Sequence, residues 1–577
     1  MDMINSLLAA INSVLWHTWS LYAVLTTGIV LTVWSGFSQY RAITHGTKVV
    51  RGVYDDPGDP GAINHFQALS AALSATVGLG NIGGVALAIA LGGPGAVFWM
   101  WVVGLFGMAI KLTEVTLSML YRNTNDPDNP HGGPMWVVSK GLAQMKPSLA
   151  GVGKVIGGLF CATLLISTIT GGNMFQAWNV ADLTETYFGI PGVATGILLA
   201  VIVGAVIIGG IKRIGRVAGS LVPFMVVMYL LAGCYVLIVN FAEIPAMLKL
   251  IVVSAFSSTD ASGAFLGGTM GYAFLFGMKR ALFSNEAGQG SSPIAHSAAK
   301  TNEPVREGIV AGLEPFIDTI VVCTFTSLVI LSSGVWQRNA EVILDRAPTV
   351  VPVDLNVWSI EQTTLPKSEH GDVWRDGANV FVIIEGDSNE NTGNKLHRLE
   401  GTVDEVSHGH FIVNWNNFGS QSKPQMTDNG IYVDYIGATL TAKAFDSAAD
   451  GLGKWLVTLA AWLFAISTMI AWSYYGEQGV VYLFGERMVL TYKVIFCLLI
   501  IVATVGFIKT TDDLDNLSSF GTGIMLFVNI PIIWIFSHQA MKAYKSYINR
   551  LRTGKLGPEH AASSLEDLIS GHDVEKS

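Results

Sequence analysis

Charge is scarce in this chain. Asp, Glu, Lys and Arg make up 13% of its 577 residues, against about a quarter in soluble domains. So few ionised groups cannot cover a water-facing surface, which excludes an ordinary soluble globular protein. The net charge of −9 leaves no expectation of a nucleic-acid partner. Cysteine is scarcer still. The four thiols, Cys161, Cys234, Cys323 and Cys497, all fall in apolar stretches, where cysteine packs as a small apolar group, so no disulfide framework is expected. Nor do a nucleophile, a base and an orienting group stand together, so neither catalysis nor a resident cofactor is expected. Apolar side chains are what is abundant: 51% of residues are hydrophobic and the mean hydropathy is +0.47. These values specify a polytopic membrane protein.

A helix needs about twenty predominantly apolar residues to cross a bilayer, and eleven stretches qualify: 15–37, 64–91, 95–121, 154–184, 191–211, 216–241, 262–300, 306–335, 452–484, 489–508 and 516–540. Basic residues in short loops mark the cytoplasmic side. None precedes Arg41, whereas Arg41, Lys48 and Arg51 follow the first stretch. The amino terminus is therefore expected outside. Alternate connections agree, with Arg122, Lys140, Lys146 and Lys154, then Lys212, Arg213 and Arg216, then Lys279, Arg280, Lys300 and Arg306, then Arg487 and Lys493 counted inside, together with the tail 542–577. An uncharged start without a small-residue cleavage pattern argues against a removed signal peptide. Multi-pass insertion in a bacterial inner membrane is the expectation.

One segment differs. Residues 337–447 hold 8 Lys and Arg against 16 Asp and Glu, a net of −8 that nearly accounts for the −9 of the whole chain. The runs Val380–Ile384, Gly401–Val406, Phe411–Trp415 and Gly430–Tyr435 are short, β-branched and aromatic, and Ser407-His408-Gly409-His410 suits a hairpin turn. A small β-rich extracytoplasmic insert at 337–436 is expected, between membrane parts at 64–336 and 437–541 and after an added helix within 1–40. His397, His408 and His410 read as surface histidines rather than metal ligands.

Within the second stretch, Ala75-Thr-Val-Gly-Leu-Gly-Asn-Ile-Gly-Gly84 places a glycine cluster in mid-membrane. Lipid cannot satisfy the backbone groups that a helix break exposes, so a break persists only where it lines a cavity or holds a ligand. Gly78-x-Gly80-x-x-Gly83 also matches the dinucleotide fingerprint, which requires a preceding strand and an acidic residue about twenty positions on. The aromatic run Phe98-Trp-Met-Trp101 stands there instead. A second break, Ser284-Asn-Glu-Ala-Gly-Gln-Gly290, lies in the seventh stretch. With the first helix set aside, the two breaks occupy the first and sixth of the ten remaining helices. Such placement indicates a five-plus-five inverted repeat with a midplane site.

Half-helix amino termini carry unpaired N–H groups and a positive dipole end that suit a carboxylate, while unwound carbonyls suit ammonium and sodium. The amides around Gly78 and Gly80 are assigned to a carboxylate on this ground. Glu286, an intramembrane carboxylate, is either functional or paired with backbone N–H groups of the unwound segment. Asp318 is either a cation-site neighbour or a helix-packing partner. The Asn81 side-chain oxygen either ligates a cation or caps the resumed helix. Ser467 and Thr468 lie mid-membrane, where hydroxyls more often bond their own backbone.

The stretches Thr76–Val85, Gly92–Trp101, Phe283–Gly288, Pro293–His296, Phe316–Ile320 and Trp472–Gly476 together resemble the alanine or glycine:cation symporter family. That resemblance implies an all-α membrane protein with a LeuT-like fold plus one added amino-terminal helix, and sodium-driven uptake of small neutral amino acids. It further implies Val77, Asn81, Ser467, Thr468 and Asp318 as sodium ligands. Thr76, Gly78, Gly80, Asn81, Gln176, Phe283, Ser284, Asn285, Glu286 and Trp472 are the implied substrate contacts. It offers no role for the insert. A channel would need a filter and oligomeric symmetry, and the oligomeric state is not legible. A transporter-like sensor using the β insert is the alternative.

Overall fold

The computed structural model describes all residues except 1, 57, 128, 258–269, 338–339, 367–373, 375–377, 389–394, 408–409, 434, 436, 507–510 and 557–577. Six helices are long and apolar enough to cross a membrane, among them Gly95–Tyr121, Gly210–Val239 and Gly453–Phe484. Two bent pairs, Leu7–Leu15 with Thr18–Trp34 and His65–Thr76 with Gly80–Gly92, raise the number to eight among the described residues. Gly192–Ile207 and Val489–Ala503, where further spans were expected, are shorter helices of 16 and 15 residues. The protein is thus a multi-pass helical membrane protein, and the first residues of the expected seventh span lie outside the described part.

Local chemistry explains how the first broken helix starts and stops. Asn64 caps it by accepting from the Gln67 amide while the Gln67 side chain accepts from the Asn64 amide, a reciprocal capping box. At the far end Val77 leaves the helical region with ψ 81°, and the chain resumes with a π-helical turn at Gly80–Gly84, bent by 50° from the first half. Two more π-helical turns, Thr170–Met174 and Phe316–Cys323, interrupt helices that the hydropathy pattern treats as continuous. Such turns are rare and cluster at functional sites. The second break is unwound between Asn285 and Ser292, with Gly288 and Gly290 at φ 84° and 81° and Glu286 at φ 56°. A non-glycine residue in the left-handed region costs about 1–3 kcal/mol and persists only where its surroundings impose it.

Lys279 and Arg280, counted above as cytoplasmic loop residues, lie instead inside the helix Met270–Asn285. Both are buried and paired with Asp515 of the last long helix. Burial in an ion pair, not exposure in a loop, accounts for them, and they carry no topological information. That last helix runs from Thr511 to Arg552, beyond the expected span, and Arg550 pairs with Glu303 at 2.5 Å.

The insert is β-rich. One sheet orders its strands as Val342–Ile343, Gly430–Val433, Asn379–Glu385, Leu396–Ser407, His410–Trp415 and Thr363–Leu365, with Gln425–Met426 attached to Asn379–Glu385. A second sheet holds Val350–Asp354, Val357–Ile360 and Phe418–Gly419. Val380, Val382 and Ile384 meet Leu399, Val403, Val413 and Trp415 in a core of its own. Ser407 pairs with His410, as a two-residue hairpin requires, while His408 and Gly409 fall outside the described residues. The His397 ring is tied to the Asp387 carbonyl at 2.6 Å, and His410 is exposed.

Candidate substrate and cation site

A small, partly enclosed cavity lies where the breaks converge. Six of the expected substrate residues line it: Thr76, Gly78, Gly80, Gln176, Phe283 and Trp472. The π-helical turn at Thr170–Met174 forms the opposite wall through Gly171, and Ser167, Gln289 and Thr522 complete the lining. Aromatic rings fix its width. A Cβ on Gly172 would sit 2.4 Å from the Trp472 ring, so glycine lets the indole lie flat against this turn. Phe283 packs edge-on against Phe175 at 4.8 Å, and the Arg280 guanidinium lies 5.6 Å from the Phe283 ring.

The amides of the first break are already engaged. Gly78 donates to Asn81 Oδ1 at 2.9 Å and Leu79 donates to Gln176 Oε1 at 3.1 Å. Gln176 Nε2 donates in turn to the Gly171 carbonyl at 3.0 Å, so one side chain bridges two irregular turns. Thr76 Oγ1 bonds its own helix at Ala72.

Behind the cavity, Asp318 joins both breaks. Its carboxylate accepts from Asn81 Nδ2 at 2.6 Å, from Ser284 Oγ at 2.9 Å and from Thr319 Oγ1 at 2.7 Å, while Asn285 Nδ2 donates to Thr319 Oγ1 at 3.0 Å. Asp318 is fully buried, and losing one partner of such a group costs about 1–3 kcal/mol. The Glu286 carboxylate accepts from the Ser291 hydroxyl at 2.5 Å, a side chain rather than the backbone N–H groups considered above.

On the other side of the first break the helix Thr458–Phe484 presents Ser467 and Thr468. Ser467 is held by Ser74, whose hydroxyl meets its Oγ at 2.6 Å and its carbonyl at 2.8 Å. Thr468 Oγ1 is buried without a hydrogen-bond partner among the described residues. A Cβ built on Gly78 would lie 2.2 Å from that oxygen, so the hydroxyl presses directly on the unwound backbone.

The description "Sodium:alanine symporter family" belongs to the family model that matches residues 1–350 and 425–562. This chain is a member of that family. The gap between the two matched parts falls on the β-rich insert. Among its relatives are the sodium/alanine symporter AgcS of Methanococcus maripaludis, 34% identical over 96% of this chain and 98% of that one. A sodium/proton-dependent alanine carrier protein of Bacillus sp. strain PS3 is 30% identical over 87% and 91%. The crystal structure of MhsT in complex with L-phenylalanine shares the fold, with a TM-score of 0.50 and 14% identity over 89% of this chain and 99% of MhsT. A LeuT-like arrangement of the membrane part is thereby established for this symporter-family member.

Several neighbours of the site escape the sequence reading: Ser74, Gln289, the turn at Thr170–Met174, and a buried cluster of ionisable side chains that includes Lys111, Glu114, His296, Glu307 and Glu314. The signal for the last was available, since Lys111 and Glu114 stand inside an apolar span where any charge is costly.

Proposed function

We propose that the chain couples sodium influx to the uptake of small neutral amino acids, alanine and glycine, by alternating access. The observation that carries this reading is the Thr468 hydroxyl, buried without a partner against the unwound backbone at Gly78. A hard cation seeks oxygen ligands, and Thr468 Oγ1, Ser467 Oγ and the Val77 carbonyl supply them where the helix has opened. An unsatisfied buried hydroxyl costs about 1–3 kcal/mol, and a bound cation would recover that cost. Sodium bound there holds the break in its open geometry, and that geometry is what the substrate meets.

On this reading the substrate carboxylate is received by the amides of Gly78 to Gly80, for which Asn81 Oδ1 and Gln176 Oε1 act as stand-in acceptors until substrate arrives. Carbonyls of the second break near Ser284 receive the ammonium. Phe283 and Trp472 bound the side chain, so larger substrates are refused sterically. The amino terminus lies outside and the carboxyl-terminal end inside. Uptake of labelled alanine into proteoliposomes, in competition with unlabelled amino acids, tests the assignment. Glycine and alanine should compete at lower concentration than leucine or phenylalanine, and equal competition by all four would refute the small-substrate reading.

A further inference from the structure

A second polar system runs through the bundle away from the cavity, and it consists of titratable groups in contact. Asp55, partly exposed, lies 3.7 Å from His65 Nε2. His65 Nδ1 contacts Glu307 Oε2. Glu307 Oε1 meets His296 Nδ1 at 2.6 Å, and His296 Nε2 meets Glu314 Oε1 at 2.6 Å. Ser292 donates to Glu314 at 2.8 Å. Glu314 Oε2 is 3.3 Å from Lys111 Nζ, which lies 3.9 Å from Glu114 Oε1. Glu114 Oε2 accepts from Asn529 Nδ2 at 3.2 Å, and the same amide reaches the Gly288 carbonyl at 2.8 Å, inside the second break. Every link beyond Asp55 is buried.

We propose that His65, Glu307, His296 and Glu314 form a proton relay between the loop face at Asp55 and the Lys111–Glu114 pair beside the second break, and that the carrier exchanges a proton through it during transport. Rotation of one imidazole cannot serve two carboxylates. With both ring nitrogens of His296 facing carboxylate oxygens at 2.6 Å, one proton beyond the neutral imidazole must be shared among His296, Glu307 and Glu314. Asp55, Asp59, Glu114, Glu286, Glu307 and Glu314 are the carboxylates facing this system, and Lys111 and Arg122 are its basic side chains. Arg122 stands at the Glu307 end, bonded to the carbonyls of Ser297 and Ala299, and the buried Tyr475 hydroxyl stands near Glu286, Glu314 and Glu114. His65 Nε2 at the outer end, and Lys111 Nζ, Glu114 Oε1 and the Tyr475 hydroxyl at the inner end, are buried without hydrogen-bond partners among the described residues.

Transfer along this chain balances at each step. A proton arriving on His65 Nε2 releases the one on Nδ1 to Glu307. Glu307 passes a proton from Oε1 to His296 Nδ1, and the N–H at Nε2 breaks as Glu314 Oε1 gains it. The transferred proton ends on Glu314, whose Oε2 is 3.3 Å from Lys111 Nζ, while His65, Glu307 and His296 regain their starting charges.

The inference rests on the carrier reading above, and two measurements keep them separable. In proteoliposomes of the full chain with an internal pH dye, sodium-driven uptake of labelled alanine is recorded beside internal pH. The parent should show a pH change that follows alanine uptake, at least tenfold smaller in His296→Gln and in Glu307→Gln. Uptake by the parent without any pH change overturns the relay and leaves the carrier reading standing. No uptake at all overturns the carrier reading instead. The relay is then decided in detergent by nitrogen-15 histidine signals, assigned by their loss in His65→Gln and His296→Gln. Exchange of these protons with solvent across about pH 4 to 10, shifted by Glu307→Gln, supports it, and ring signals that never titrate overturn it.

Discussion

At the residue scale, the two glycines of the first break carry different constraints. A Cβ at Gly78 meets Thr468 Oγ1 at 2.2 Å, whereas one at Gly80 meets Phe283 at 3.4 Å, an ordinary contact. Gly78→Ala should therefore lose transport with membrane insertion intact. Gly80→Ala should retain it in part, and Gly80→Val should abolish alanine binding because its γ-methyl groups enter the cavity. Calorimetry of alanine binding ranks the three, and a Gly78→Ala variant that binds as the parent does would sink the packing argument. Ser467→Ala with Thr468→Ala removes two hydroxyl oxygens from the proposed cation site. At about 1 kcal/mol each, the sodium concentration for half-maximal uptake should rise about tenfold or more, read from uptake at graded sodium, and an unchanged sodium response would contradict the assignment.

At the element scale, Asp318 ties the two broken helices through Asn81 and Ser284, and it is a polar linkage rather than apolar packing that sets their spacing. Asp318→Asn should weaken that tie, since an amide cannot accept from three donors as a carboxylate can. A loss of about 1–3 kcal/mol is expected, seen as a lower thermal midpoint together with lower alanine affinity, and unchanged values of both would remove Asp318 from the role. The breaks were legible because glycine clusters in apolar runs have few explanations. The π-helical turns at Thr170–Met174 and Phe316–Cys323 were not, because one extra residue in a helical turn leaves hydropathy unaltered. Nor was the pairing of Asp318 with Asn81 and Ser284, which stand 237 and 34 residues away in sequence. Lys279 and Arg280 misled for the opposite reason: loop counting assigns any basic pair to water, and here Asp515 receives both in the interior.

At the scale of the whole molecule, the insert closes on itself. Val342 and Ile431 pair in one sheet, so the chain enters and leaves the module at adjacent strands, and its core is separate from that of the bundle. Joining Gln337 to Tyr435 through a short Gly/Ser linker, which removes the whole module at 339–433, costs little closure entropy. Sodium-coupled uptake should persist at a rate within severalfold of the parent once expression is matched. A folded, inserted but inactive product would make the module part of the gate. The β-rich character and the main strands of this module were visible from alternation and turn residues, whereas its two-sheet arrangement depends on pairings such as Val357 with Gly419 that no local pattern encodes.

Solute-dependent sodium flux decides the central claim. Purified full chain in vesicles, given radioactive sodium outside and no gradient of other ions, should admit sodium many times faster when alanine is added, and alanine should enter only when sodium is present. Sodium entry indifferent to alanine would indicate a channel, and alanine binding without any sodium flux would indicate a sensor; either result would contradict the account of this chain as a sodium-coupled carrier.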